Sequence, residues 1–139
     1  MSEQRLEKNE NPLAALLTDP VQNKGYTEKL LVEVLGDYLK IEKDSGEFAL
    51  QPEFFDLETR KQVAILLCGQ LAKKMLGLSD EVGLSQSEVI NGLSHIPDGT
   101  VKSILNELRK MSFVVSLDKK NQVKQSYLER LKKWLKSSE

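Results

Sequence analysis

Histidine and cysteine are nearly missing from these 139 residues: there is one of each, His95 and Cys68. A single cysteine leaves no disulfide to close within the chain, which points to a reducing compartment. With one Cys and one His, the usual zinc ligand sets cannot be assembled in one chain, and no metal site or cofactor is expected. Cys68 lies inside VAILLCGQL. An apolar setting raises a thiol's pKa, so a nucleophilic Cys68–His95 pair is set aside for a small core residue.

The eight glycines are scattered and form neither a phosphate-cradling loop nor a dinucleotide fingerprint. Glu42, Asp44 and Glu47 surround Ser45-Gly46 but lack the alternating oxygen ligands and closing Glu of a calcium loop; a solvated turn is the better account. The longest unbroken apolar run, Val63 to Cys68, is far short of the roughly 20 residues of a membrane span. The opening MSEQRLEKNE has no apolar core of a secretory signal. The expectation is a cytoplasmic protein with no membrane role and no enzymatic activity.

What is present is charge, unevenly placed. The formal net charge is −1, from 20 basic and 21 acidic side chains. Residues 1–58 hold 6 basic and 13 acidic side chains, a net of −7, whereas residues 59–139 hold 14 and 8, a net of +6. Near-neutrality is the cancellation of two opposite halves, and such asymmetry is a functional hint.

Length is that of one domain. Residues 1–25 read as a flexible N-terminal arm, residues 26–58 as a helix and connector, residues 59–125 as the central body and residues 126–139 as a C-terminal amphipathic helix. Within the arm, Pro12 to Leu17 (PLAALL) has the makings of a helical turn ended by Thr18-Asp19-Pro20, with leucines to dock on the body or on a partner. From Tyr26 to about Ile41, Leu30, Leu31, Val34, Leu35, Tyr38 and Leu39 fall on one helical stripe. Lys43 to Gly46 stops that helix, Glu47 to Gln51 alternates as a short strand, and PEFFDL forms a hydrophobic plug. A long helix from Glu58 or Thr59 to Leu76, apolar around much of its circumference, is ended by Gly77. Gly69 in its middle implies close approach of another backbone.

Residues 84–124 carry the most information. Ser85 and Glu88 make a capping box for a short helix ending near Ser94. A tight turn, His95 to Gly99, follows, in which His95 is read as a structural residue. Asp98 or Thr100 then caps a second helix to about Lys110 or Met111. That helix turns Val101, Ile104, Leu105, Leu108 and Met111 inward and Ser103, Asn106 and Lys110 outward, flanked by Lys102, Arg109 and Glu107. Phe113 to Leu117 is strongly strand-forming, Asp118 to Gln122 is a polar tip, and Val123 begins a return strand.

The stretch SQSEVINGLSHIPDGTVKSILNELRKMSFVV, within residues 59–124, resembles the winged helix-turn-helix superfamily of prokaryotic DNA-binding regulators. One departure is Ser112, where such sequences usually place Gly to leave the helix. The resemblance implies a mainly α fold with a small β-hairpin wing and extra N- and C-terminal helices. It further implies that helix 100–110 enters a major groove while wing 117–124 reaches flanking backbone or minor groove.

The charge agrees: the whole +6 of the second half lies between Gly99 and Glu139. Candidate nucleic-acid-binding residues are Thr100, Lys102, Ser103, Asn106, Arg109, Lys110, Lys119, Lys120 and Lys124, with Asn106 and Ser103 suited to base edges and the cations to phosphates. Glu107 on the same helix repels phosphate unless it accepts from cytosine. On the last helix, Tyr127, Leu131, Trp134 and Leu135 form one apolar side, which either packs on the domain or makes a homodimer interface. Two readings follow: a DNA-binding transcriptional regulator, or a winged-helix adaptor whose acidic N-terminal portion and exposed PLAALL leucines meet a protein partner.

Overall fold

The computed structural model describes residues 12–16 and 20–137, and side chains from residue 24 onward in the second stretch. The arm reading of residues 1–11 and the turn at Thr18-Asp19 lie outside the described residues.

The fold is mainly helical. Five α-helices are described: α1 (Pro20–Leu35), α2 (Thr59–Met75), α3 (Gln86–Gly92), α4 (Asp98–Lys110) and α5 (Leu128–Lys136). Two antiparallel hairpins accompany them, β1 (Leu39–Ile41) with β2 (Phe48–Leu50), and β3 (Val114–Leu117) with β4 (Lys120–Val123). Pro12–Leu16 is a 3-10 turn whose residues are all exposed.

Helix α2 is the axis of the molecule. Val63, Ala64, Ile65, Leu67 and Cys68 are wholly inaccessible, so this helix is covered on every side. A single apolar core runs from Leu30 on α1 through α2, α3 and α4 to Leu135 on α5. Burial pushes the Cys68 thiol up to about 12, which keeps it neutral and unreactive at physiological pH. Gly77 (φ 78°) closes α2: its N–H donates to Lys74 O at 3.1 Å and that of Leu78 to Lys73 O at 2.9 Å.

Three boundaries differ from those read in the sequence. Helix α1 begins at Pro20, inside the segment assigned to the arm, and ends at Leu35 instead of continuing to Ile41. Gly36 and Tyr38 close the last turn on Val32 O and Leu35 O, and Leu39–Ile41 pairs with Phe48–Leu50 instead. Leu39 and Tyr38 continue the helical spacing but serve the hairpin. Residues 120–122, read as part of a polar tip, belong with Val123 to strand β4, in register Val114↔Val123 through Leu117↔Lys120. The loop shrinks to Asp118-Lys119, both at positive φ (50° and 64°), which is the type I′ pattern of a two-residue hairpin.

Gly69 is explained by side chains and not by a backbone: a Cβ there would stand 2.8 Å from Phe48 Cε1 and 3.1 Å from Leu39 Cδ2, both on the first hairpin. Phe54 is the buried plug of the connector, and Phe55 stays exposed with its ring 5.2 Å edge-on to His95.

Helix α5 packs against α1 and into the shared core. Leu128, Leu131 and Leu135 are buried, while Tyr26 Oη donates to Glu129 Oε1 at 2.7 Å and Lys132 Nζ to Glu33 Oε1 at 2.6 Å. Leu131 and Leu135 are therefore spent on this chain's own folding, and their assignment to a dimer interface is corrected to the packing alternative. Tyr127 and Trp134 are half-buried; the Trp134 ring lies 5.3 Å from Phe113. Lys61, almost fully buried, donates from Nζ to Ser137 O at 2.7 Å and so ties α2 to the end of α5.

Candidate nucleic-acid interface

Helix α4 owes its orientation to Val101, Ile104, Leu105 and Leu108, all buried at the expected helical spacing. Pro97 is the N-cap, so Asp98 is not a cap as expected. It stands at the first helical position, where its carboxylate faces the positive end of the helix dipole. Arg109 and Lys110 favour the opposite end in the same way.

With that apolar stripe turned inward, 100° steps place Ser103, Asn106 and Lys110 at the centre of the outer face. All three are exposed. Lys102 and Arg109 form one flank of the strip, Glu107 and Thr100 the other. The two flanks are tied to different parts of the molecule.

On the first flank, Arg109 Nη1 donates to Asn121 Oδ1 at 2.6 Å. Asn121 is buried on β4, and its Nδ2 donates to Leu84 O at 3.1 Å. The backbones of Leu84 and Asn121 also exchange hydrogen bonds, at 2.9 and 2.7 Å, as an isolated antiparallel bridge. A third short extended segment thus lies against the β3–β4 hairpin. Gly83 permits this contact, since a Cβ there would stand 2.6 Å from Asn121 O.

On the second flank, Glu107 Oε2 accepts from Arg60 Nη1 at 3.1 Å, and the same guanidinium meets Glu58 at 2.9 Å. The two carboxylates hold the Arg60 guanidinium above its ordinary value. Glu107 is therefore paired with a cation of α2, although it shares that cation with Glu58 and the cluster stays net negative.

The hairpin has a polar clamp of its own. Glu88 completes the capping box of α3, accepting from Ser85 N at 2.8 Å while Glu88 N donates to Ser85 Oγ at 3.1 Å. Its Oε1 also lies 2.9 Å from Lys120 Nζ. The Ser85 N–H and Lys120 together hold the Glu88 carboxyl below its usual value, and Glu88 holds Lys120 above its own.

The nine candidate contact residues thus fall into distinct groups. Thr100, Lys102, Ser103, Asn106, Lys110 and Lys119 are exposed, and among the described residues Lys102, Lys110 and Lys119 make no ion pair. Lys124 is exposed, with Nζ 4.7 Å over the Tyr127 ring, whose centroid also lies 4.9 Å from the Arg130 guanidinium. Arg109 and Lys120 are engaged within the chain. Their role is to hold the hairpin to α4 and α3.

Sequence reading missed Arg60 and Asn121. Arg60 stands 47 positions from Glu107, and Asn121 stands 37 from Leu84, so neither contact leaves a local signal. The turn between α3 and α4 is fixed by His95, whose Nε2 lies 2.7 Å from Gln62 Oε1; Gln62 Nε2 donates in turn to Leu57 O at 2.9 Å. With the amide so oriented, Gln62 Oε1 accepts, and His95 Nε2 is the donor. His95 is therefore a structural residue of the turn.

No protein-family model matches the chain, and neither curated proteins nor solved structures yield a match. No helix among the described residues is long and apolar enough to cross a membrane. Among the same residues no group of three or more His, Cys, Asp or Glu is placed to hold a metal ion.

Proposed function

We propose that the chain is a winged helix-turn-helix protein that binds double-stranded DNA, with α4 as the recognition helix and β3–β4 as the wing, in the role of a transcriptional regulator. The carrying observation is the outer strip of α4. Ser103, Asn106 and Lys110 are exposed together, while Glu107 at its edge is paired with Arg60, a cation it shares with Glu58. The order α2, extended segment at Leu84, α3, turn, α4, hairpin supports the same reading.

In this reading Asn106 presents an amide to a base edge, adenine being its best partner. Lys102, Lys110, Lys119 and Lys124 meet phosphates. Arg109 and Asn121 set the angle between recognition helix and wing, so their effect on DNA is indirect. Near-zero net charge weakens long-range steering, which places the burden on local contacts and on the assembly state.

The test is selection of bound duplexes from a randomised pool, followed by affinity measurements on the recovered sequence. Asn106→Ala relaxes preference at one base pair and costs about 1–3 kcal/mol there. Lys119→Glu weakens binding to all duplexes alike. Recovery of no enriched sequence, together with no binding to pooled duplex at low salt, contradicts the proposal and favours the protein-adaptor reading.

A further inference from the structure

The outer strip of α4 has two unlike flanks. At 100° per residue, Lys102 and Glu107 stand about 70° to either side of its centre, so a helix lying in a major groove turns them toward opposite backbones. Lys102 brings a cation that makes no ion pair among the described residues. Glu107 belongs to a cluster of two carboxylates and one guanidinium, which stays net negative.

A negative flank repels phosphate, and the sugar–phosphate backbone of DNA carries acceptors only. What a carboxylate can take from the major groove is a donor, and the base edges hold two, N4 of cytosine and N6 of adenine. Beside N6 adenine presents N7, an acceptor that meets the second carboxylate oxygen with like charge, so cytosine is the better match.

The carboxylate is already restrained. Glu107 Oε2 accepts from Arg60 Nη1 at 3.1 Å, its Oε1 has no donor among the described residues, and its side chain is 46% exposed. Arg60 is fixed in its turn: Nε and Nη2 both lie 2.9 Å from Glu58 Oε1, and the guanidinium stands 6.0 Å from the centre of the Trp134 ring. A side chain held in this way loses less rotamer freedom when it meets a ligand.

We propose that Glu107 is a specificity-determining residue of the interface: its unshared oxygen accepts a hydrogen bond from N4 of a cytosine beside the base pair that Asn106 meets, and Arg60 is the positioning residue that holds the carboxylate for it. The inference rests on the DNA-binding reading and adds a second base to it. It also explains why a recognition helix carries an acid at its edge. The same charge that weakens binding to duplexes in general discriminates against those without cytosine at that pair.

The test is selection from a randomised duplex pool with the wild type, Glu107→Gln and Arg60→Ala. Affinities are then measured on the selected duplex and on one with thymine in place of the cytosine, which sets the O4 acceptor where the N4 donor stood. Glu107 is exposed and glutamine keeps its shape, so that variant is expected to fold as the wild type does; Arg60→Lys replaces Arg60→Ala should chemical denaturation show the latter unfolded. The wild type is expected to enrich a C·G pair beside the pair relaxed in Asn106→Ala, and to prefer cytosine over thymine there about five- to ten-fold. Glu107→Gln is expected to lose that preference, to keep every other enriched position, and to bind unselected duplex more tightly because a negative charge is gone. Arg60→Ala is expected to lose most of the cytosine preference without any gain on unselected duplex. An enriched sequence that Glu107→Gln shares with the wild type at every pair overturns the assignment and leaves DNA binding standing. A cytosine preference that survives the loss of Arg60 overturns the positioning role, and a wild type that enriches no sequence contradicts the DNA-binding reading together with this inference.

Discussion

The two hairpins of this chain have strands of similar length and are held in opposite ways. The first, β1–β2, is anchored by apolar side chains: Leu39 is buried, and Phe48 reaches over the bare backbone of Gly69 with Lys73 Nζ 4.0 Å above its ring. Its loop is acidic, and Ser45 and Gly46 fold it back on Glu42 and Glu47. The second, β3–β4, buries Val114 and Val123 at its base, but its outer half is fixed by polar contacts from Arg109, Leu84 and Glu88. The first hairpin presents an acidic loop to solvent. The second, clamped along its edge, keeps Lys119 at the tip exposed, and its orientation relative to α4 depends on a few hydrogen bonds.

The largest effect is expected where the clamp is backbone against backbone. Gly83→Ala drives a Cβ into Asn121 O, which cannot move without breaking the bridge, and costs about 2–3 kcal/mol in chemical denaturation. A neutral result would mean that the Leu84–Asn121 bridge does not hold the hairpin. Next is the turn. Asp118 and Lys119 occupy a conformation that costs non-glycine residues about 1–2 kcal/mol, so replacing them by Asn-Gly stabilises by about 1 kcal/mol while weakening DNA binding through loss of Lys119. Stability and affinity moving in opposite directions is the signature.

Comparable in size is Gly69→Ala on the first hairpin. Crowding Phe48 and Leu39 costs about 1–3 kcal/mol, but alanine returns about 1 kcal/mol of helix propensity and both neighbours are side chains that can give. A net loss near 1 kcal/mol is expected, below that of Gly83→Ala; the reverse order would contradict the contrast between the hairpins.

The smallest effect is the pH response of the Glu88–Lys120 contact. Glu88 titrates below its ordinary value of 4.5 in the folded chain, so its contribution is present above that value and fades as pH falls through the depressed one. Protection of the Asn121 and Leu84 amides, relative to their intrinsic exchange at each pH, should therefore fall on acidification, and Glu88→Gln should remove this dependence. The partner Lys120 is held above 10.5; its contribution is complete below that value and is lost as pH rises through the raised one.

How much of this was legible in the sequence follows from the range of each signal. Helices α2, α3 and α4 repeat their apolar residues at 3.6-residue spacing and carry local punctuation, such as Ser85 with Glu88 and Gly77, so they stand close to where they were expected. The exit from α1 was not legible, because Tyr38 and Leu39 continue the helical stripe while serving a hairpin whose paired residues lie seven to eleven positions away. Ser112 was legible as a problem: it takes φ 68° without being glycine. At the candidate interface the outward residues of α4 could be read from periodicity alone. The pairing of Glu107 with Arg60 and of Arg109 with Asn121 could not, because contacts across 47 and 12 positions depend on packing that no local pattern encodes. For Leu131 and Leu135, packing on the domain and dimerising both stayed open for the same reason, since an amphipathic helix does not say whose core it completes.

The most direct measurement is the salt dependence of binding to duplex DNA for the wild type and for Lys119→Glu. The account predicts that log K falls linearly with log salt, by about 0.9 for each phosphate neutralised, and that Lys119→Glu lowers that slope by about one phosphate without unfolding the chain. A wild type that binds no duplex at low salt, or a slope unchanged by Lys119→Glu, would contradict it.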